Sequence, residues 1–148
     1  MFIKMLAVSI IILFICGCNK SVDQKESASL PVCQDFQSSC TLTLGDSRFE
    51  IVFDKIKLRP EQPFTLYLST NNRFSQNNIS GYLEGVNMYM GKIPLFFEPT
   101  QSKNQLKAKS MFGSCSEKQM IWRLWVVETE VGSRQVINKN YIDISVEQ

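Results

Sequence analysis

Met120-Ile121-Trp122-Arg123-Leu124-Trp125-Val126-Val127 is the stretch whose reading decides the fold. Side chains alternate along a strand, so Met120, Trp122, Leu124 and Val126 share one face and Ile121, Arg123, Trp125 and Val127 the other. Both faces are largely apolar. That pattern predicts a central strand with neighbours on both sides, running through 120–129.

Outward from this run the chain repeats the same kind of segment. Thr41 to Leu44 alternates, and so does Arg48 to Leu58, with apolar Phe49, Ile51 and Phe53 and, past an irregularity, Ile56 and Leu58. Further runs cover Phe64 to Ser69, Ile79 to Met90, Leu95 to Glu98, Gln105 to Phe112 and Gln135 to Val146. Turn residues punctuate them: Gly45-Asp46, Arg59-Pro60, Gln62-Pro63, Asn71-Asn72, Gly91, Pro94, Pro99 and Gly113. Val131-Gly132-Ser133 predicts a hairpin between the last two strands. The Asn/Ser/Gln-rich segment from Thr70 to Asn78 reads as a surface loop. No helical period of useful length follows residue 18. Seven to eight short strands without βαβ alternation predict an all-β fold, a small antiparallel immunoglobulin-like β-sandwich, with a small barrel as its competitor.

The first residues follow another logic. Lys4 is the only charge before Cys18, and the apolar run Leu6 to Ile15 is shorter than the roughly 20 residues a spanning helix needs. It ends in Ile15-Cys16-Gly17-Cys18. This tetrapeptide resembles the lipobox of bacterial lipoproteins, which implies removal of a signal peptide, residues 1–17, and lipidation of Cys18 as the new N-terminus. Each buried acyl methylene contributes about 0.8 kcal/mol, so a palmitate-class, three-chain anchor holds a protein firmly to a membrane. Residues 18–30 then form the lipidated cysteine and a polar, flexible tether, and 31–148 the sandwich domain. By the sorting rule of enteric lipoproteins, Asn19 directs the protein to the outer membrane, facing the periplasm, in preference to the inner membrane.

The whole chain carries 16 basic and 14 acidic side chains. Losing residues 1–17 removes one lysine and no acid, which leaves no basic excess for nucleic acid or for a polybasic membrane patch. Lys55, Lys57, Lys107 and Lys109 alternate on expected strands and read as a solvated or guarded face. Histidine is absent from the chain. Its absence removes Ser-His-Asp and Cys-His catalysis, the usual zinc ligand and the standard near-neutral proton shuttle. Asp46, Glu50, Asp54, Glu84, Glu98, Glu117 and Glu128 form no pattern that separates a paired-carboxylate site from solvated strand faces. A non-enzymatic role is expected.

Apart from Cys16 and Cys18, three cysteines remain in an oxidising setting, which leaves one over when two pair. Cys40 with Cys115 is the favoured disulfide because both flank expected strands, with Cys33 as the alternative partner. The sulfurs offer a further possibility. Met88 and Met90 point the same way if they lie in a strand, and with Met111, Met120 and Cys115 they make a soft ligand set of the kind that suits Cu(I). Core packing is the default use of such residues. It is also the default for Tyr67, Tyr82, Tyr89 and Tyr141, whose other use is an aromatic recognition surface.

Residues 85–125, through Met88, Met90, Gly91, Gly113 and Trp122, resemble the FixH/YtkA-like periplasmic domains associated with copper-oxidase assembly. That resemblance implies a β-sandwich and a copper-handling role. The chain departs from the pattern in lacking histidine and in placing Cys115 in the turn. Two functions follow: a membrane-anchored, non-enzymatic module that binds an envelope protein or supports an assembly, without cofactor; and a copper-handling accessory domain using Met and Cys sulfurs.

Overall fold

The computed structural model describes residues 32–33, 39–71 and 78–148, with side chains in the last two ranges. The expected signal peptide, Cys18, the tether, Pro31, the Cys33 side chain and most of the 70–78 loop lie outside the described residues. Among the described residues every regular element is a strand. In chain order they are β1 Val32–Cys33, β2 Ser39–Leu44, β3 Ser47–Phe53, β4 Phe64–Thr70, β5 Ile79–Gly85, β6 Lys92–Leu95, β7 Glu98–Pro99, β8 Gln105–Ser110, β9 Gln119–Thr129 and β10 Val136–Glu147.

They form two sheets, ordered β1-β10-β9-β5-β6 and β2-β3-β4-β8-β7. All pairs are antiparallel except β1 with β10. An immunoglobulin-like sandwich sets four strands in the order A-B-E-D against three in the order C-F-G. Here β3-β4-β8-β7 and β5-β9-β10 reproduce that order, with β2 added at one edge, β6 at another and the short β1 beside β10. The predicted all-β sandwich is therefore the fold, and the run Met120 to Val127 is its central strand, flanked along its length by β10 and β5.

Alternation sorts each strand into a buried and an open side. Met120, Trp122, Leu124 and Val126 of β9 are fully buried, facing Leu66 and Leu68 of β4 and Ile51 of β3 in one core. Phe112 closes one end of that core, with ring centroids 4.7 Å from Phe64 and 5.6 Å from Trp122. The indole Nε1 of Trp122 is buried without a partner among the described residues. Packing alone holds this ring in place, against the cost of an unpaired donor.

Several strands stop sooner than the hydrophobic pattern implies. β3 ends at Phe53 because Asp54 turns to the next strand: its carboxylate accepts the Thr65 N–H at 2.8 Å and its own N–H donates to the Thr65 carbonyl at 3.0 Å. Beyond it Ile56 is 75% exposed, whereas Leu58 folds back into the core from a loop. β5 ends at Gly85, and Asn87 substitutes for the missing backbone. Its Oδ1 accepts the Ile121 N–H at 2.9 Å and its Nδ2 donates to the Gln119 carbonyl at 3.0 Å. Residues 86–91 are accordingly a hairpin loop. β6 begins at Lys92, before the expected Leu95, after Gly91 turns the chain at φ +70°. Gly45 carries φ +57° at the first position of the β2–β3 turn, the conformation a II′ hairpin requires.

Asn87→Ala is expected to lower stability by about 1–2 kcal/mol through two lost hydrogen bonds. Trp122→Ala should cost about 3–5 kcal/mol by opening a cavity. Urea unfolding followed by far-UV circular dichroism measures both.

Candidate functional site

The outward face of the β1-β10-β9-β5-β6 sheet carries the densest group of interacting side chains among the described residues. Strand register puts Tyr141, Trp125, Tyr82 and Pro94 directly opposite one another on β10, β9, β5 and β6. Two residues along, Asp143, Arg123, Glu84 and Lys92 form a second row in which the charges alternate. An aromatic row thus lies beside a charged one. Each residue reaches this face because its strand neighbours, Leu83, Leu124 and Ile142 among them, are held in the core.

The rings pack on one another, with centroids 4.7 Å apart for Trp125 and Tyr141 and 6.1 Å for Trp125 and Tyr82. Cations brace them. The Arg123 guanidinium lies 3.8 Å from the Tyr141 ring centre, the Lys139 ammonium 4.0 Å from that of Trp125, and the Lys92 ammonium 4.7 Å from that of Tyr82. Arg123 also makes a two-pronged pair with Asp143, Nε to Oδ1 at 2.7 Å and an amino nitrogen to Oδ2 at 2.9 Å. Glu84 accepts the Trp125 indole N–H at 3.0 Å and lies 3.7 Å from Lys92. These contacts restrict long side chains that would otherwise lose rotamer freedom only on binding.

Hydrogen bonding to Asp143 raises the Arg123 pKa further above its ordinary range; partial burial opposes this, and the charges of Asp143, Tyr141 and Glu84 add to it. A cation whose folded pKa is raised stabilises fully below its unfolded value and loses that effect only as pH climbs through the folded one. For an arginine that window lies in strong alkali. Arg123 thus keeps its charge throughout the neutral range.

The opposite sheet face is more polar. It holds two open depressions, one of about 400 Å³ bordered by Thr41, Arg48, Glu50 and Ser69, the other of about 720 Å³ beside Tyr67, Gln105 and Lys107. Their linings lack the concentrated apolar wall typical of small-molecule sites. Lys107 and Lys109 belong to this face, as expected, whereas Lys55 and Lys57 lie in the loop after β3 and Lys57 pairs with Glu147 at 3.5 Å.

The sulfur-bearing candidates all come to one end of the sandwich, the end formed by the 54–63, 86–91 and 111–118 loops. They sit there at different depths. Met120 is fully buried, Met88, Met90 and Cys115 are half-buried against the core, and Met111 is 44% exposed. Met88 and Met90 are not in a strand, so the premise of a shared strand face fails. They flank the backbone of Gly85 instead, and the Met90 methyl occupies the space a side chain at Gly113 would need. Tyr89 between them is 99% exposed. Among the described residues no group of three or more His, Cys, Asp or Glu could hold a metal ion.

No family model, curated protein or solved structure matches the chain. The arrangement of its own side chains is therefore the basis for reading its function. Among the described residues no helix is long and apolar enough to cross a membrane.

The disulfide expectation needs correction. Cys40 is disulfide-bonded, and Cys115 is a free thiol, so the favoured Cys40 with Cys115 pairing does not form. The reason is topological: Cys40 lies on β2 at the edge of one sheet, whereas Cys115 lies in the loop that leads into the centre of the other. The Cys115 sulfur instead accepts the Glu117 N–H at 3.3 Å, and its carbonyl accepts the Gln148 amide. The Cys40 partner is outside the described side chains, where the alternative candidate Cys33 lies. The tyrosines also depart from expectation, since none enters the buried core: Tyr82 and Tyr141 belong to the aromatic row, Tyr67 to the other outward face and Tyr89 to a loop. Without reductant, iodoacetamide should label Cys115 and leave Cys40 unlabelled until dithiothreitol is added, as peptide mass mapping would show.

Proposed function

We propose that the protein is a lipid-anchored envelope lipoprotein whose sandwich is a non-enzymatic binding module, with an envelope protein as partner on the Tyr82, Trp125 and Tyr141 face. The observation that carries the binding role is the aromatic row braced by Arg123, Lys139 and Lys92. Tyr, Trp and Arg dominate the energetically decisive parts of protein interfaces. Here they are already ordered, so docking incurs less of the usual entropy loss. Ile15-Cys16-Gly17-Cys18 supports the anchor, and Asn19 supports the outer membrane as its location.

A photoreactive benzoyl-phenylalanine in place of Tyr82 tests the face in living cells, with the same residue in place of Tyr67 as the control on the other sheet. A discrete protein adduct from position 82 and none from 67 is expected. Equal adducts from both would remove this face from consideration. For the anchor, Cys18→Ser should abolish incorporation of labelled palmitate and release the protein from the membrane fraction.

A second reading, Cu(I) handling, is favoured by the gathering of Met88, Met90, Met111, Met120 and the free thiol of Cys115 at one end. It accords with the FixH/YtkA-like resemblance of residues 85–125. Anaerobic Cu(I) titration against a bathocuproine competitor should then show binding that the Met88→Ala, Met90→Ala pair weakens at least tenfold. Equal binding by the two proteins would exclude that site.

A further inference from the structure

The charged row beside the aromatic one has a symmetry of its own. Across β10, β9, β5 and β6 it reads Asp143, Arg123, Glu84, Lys92, which is negative, positive, negative, positive. Reversed, the same row is positive, negative, positive, negative. Two copies set face to face are related by a two-fold axis lying in the plane between them. If that axis runs parallel to the strands, between β9 and β5, Asp143 comes opposite Lys92 and Arg123 opposite Glu84, so every charge in the row meets its opposite. An axis across the strands does worse. Along the charged row it sets each charge against itself, and along the aromatic row it sets Arg123 against Val127 and Glu84 against Ser80, both without charge. Opposed like charges are costly and a desolvated charge without a partner more so, whereas complementary ones fix register.

The rows on the other side of this one suit the same axis. In the aromatic row Trp125 comes opposite Tyr82, and Tyr141 opposite the exposed Pro94. One step further, Lys139 on β10 and Val127 on β9 lie beside Ser80 on β5. Past the pair of Gly81 with Leu95, the β6 side of that step is Phe96. Its ring points outward, because Leu95 before it is buried and Phe97 after it packs against the core, and it is 77% exposed. The axis brings Phe96 of one copy opposite Lys139 of the other, and Lys139 has no carboxylate partner among the described residues. A cation and an aromatic ring so placed attract. The edges of the sheet are less open to a second copy than its face. Pro94 on β6 has no N–H to give an added strand. On β10 the Asn140 Oδ1 accepts the Tyr141 N–H at 2.8 Å and its Nδ2 donates to the Thr43 carbonyl at 2.7 Å.

We propose that the partner of the aromatic face is a second copy of this chain: two copies pack Tyr82, Trp125 and Tyr141 together about a two-fold axis parallel to the strands, with Asp143 of each opposite Lys92 of the other and Arg123 opposite Glu84. This rests on the aromatic face being a binding surface and names what it binds. The strands of the two sheets then run alongside one another, an aligned packing at about 10 Å. Three rows on four strands cover about 20 Å by 20 Å, roughly 400 Å² of each copy. That places the pair at the small end of specific interfaces, among assemblies that form and part. Capture inside the cell is accordingly the measurement that suits it.

The test uses the full-length chain in cells that carry two differently tagged forms of it. Benzoyl-phenylalanine replaces Tyr82 in one form; its adducts are recovered through that form's tag and probed for the other. An adduct of twice the chain's mass that bears both tags is expected. Adducts with a different protein only overturn the dimer and leave the binding face standing. No intermolecular adduct at all overturns both. The axis is read from Pro94. The photoreactive residue at that position should insert into the β10 peptide around Tyr141 of the other form, and insertion around Pro94 of the other form overturns the proposed axis. Lys92→Glu in both forms, at an exposed position, is expected to lower the yield of the doubly tagged adduct from position 82 at least fivefold. Lys107→Glu, on the other sheet, should leave that yield within twofold of the parent. Equal yields from the two variants overturn the charge register.

Discussion

The inward side of β9 is the constraint on which the rest depends. Trp122 and Leu124 are fully buried, and the strand carrying them is hydrogen-bonded on both edges. A strand so held cannot slip by one residue without moving the whole apolar set to solvent. The outward positions are consequently just as determined. Arg123 and Trp125 stand where they do because the residues between and beside them are locked in the core, so the stability of the sandwich and the geometry of its aromatic face have one origin.

Register extends that order sideways. Tyr82 and Tyr141 come from strands distant in sequence, yet pairing sets both against Trp125, and the two-pronged pair of Arg123 with Asp143 places the guanidinium over Tyr141. Salt bridges at protein surfaces contribute little to stability on average. Here they hold Arg123, Glu84 and the aromatic rings in one arrangement. On the opposite sheet the side-chain hydrogen bonds linking Thr100, Gln105 and Ser69 join polar groups and involve no aromatic ring.

The ends of the sandwich differ for a reason visible in the connections. One end gathers the 86–91 and 111–118 loops, where Asn87 imitates backbone pairing and where the methionines and the free thiol of Cys115 lie. The other holds the β9–β10 hairpin and the Gly45-Asp46 turn between β2 and β3.

The all-β class, the central place of 120–127, the hairpin around Gly132 and the lipobox-like tetrapeptide are legible in the sequence, because strand alternation and turn chemistry are local properties. Strand ends are less so: Asp54 and Asn87 terminate apolar runs through bonds to residues far along the chain. The aromatic site was half visible, since Arg123 and Trp125 share a predicted face, but alternation within one strand cannot say which strand lies beside it. Only the tertiary structure aligned Tyr82, Trp125 and Tyr141, separated Cys40 from Cys115, drew the sulfur residues to one end and set the direction in which the chain enters β1. Each of these depends on pairing and packing between distant segments, which the closure of the two sheets over a shared core decides.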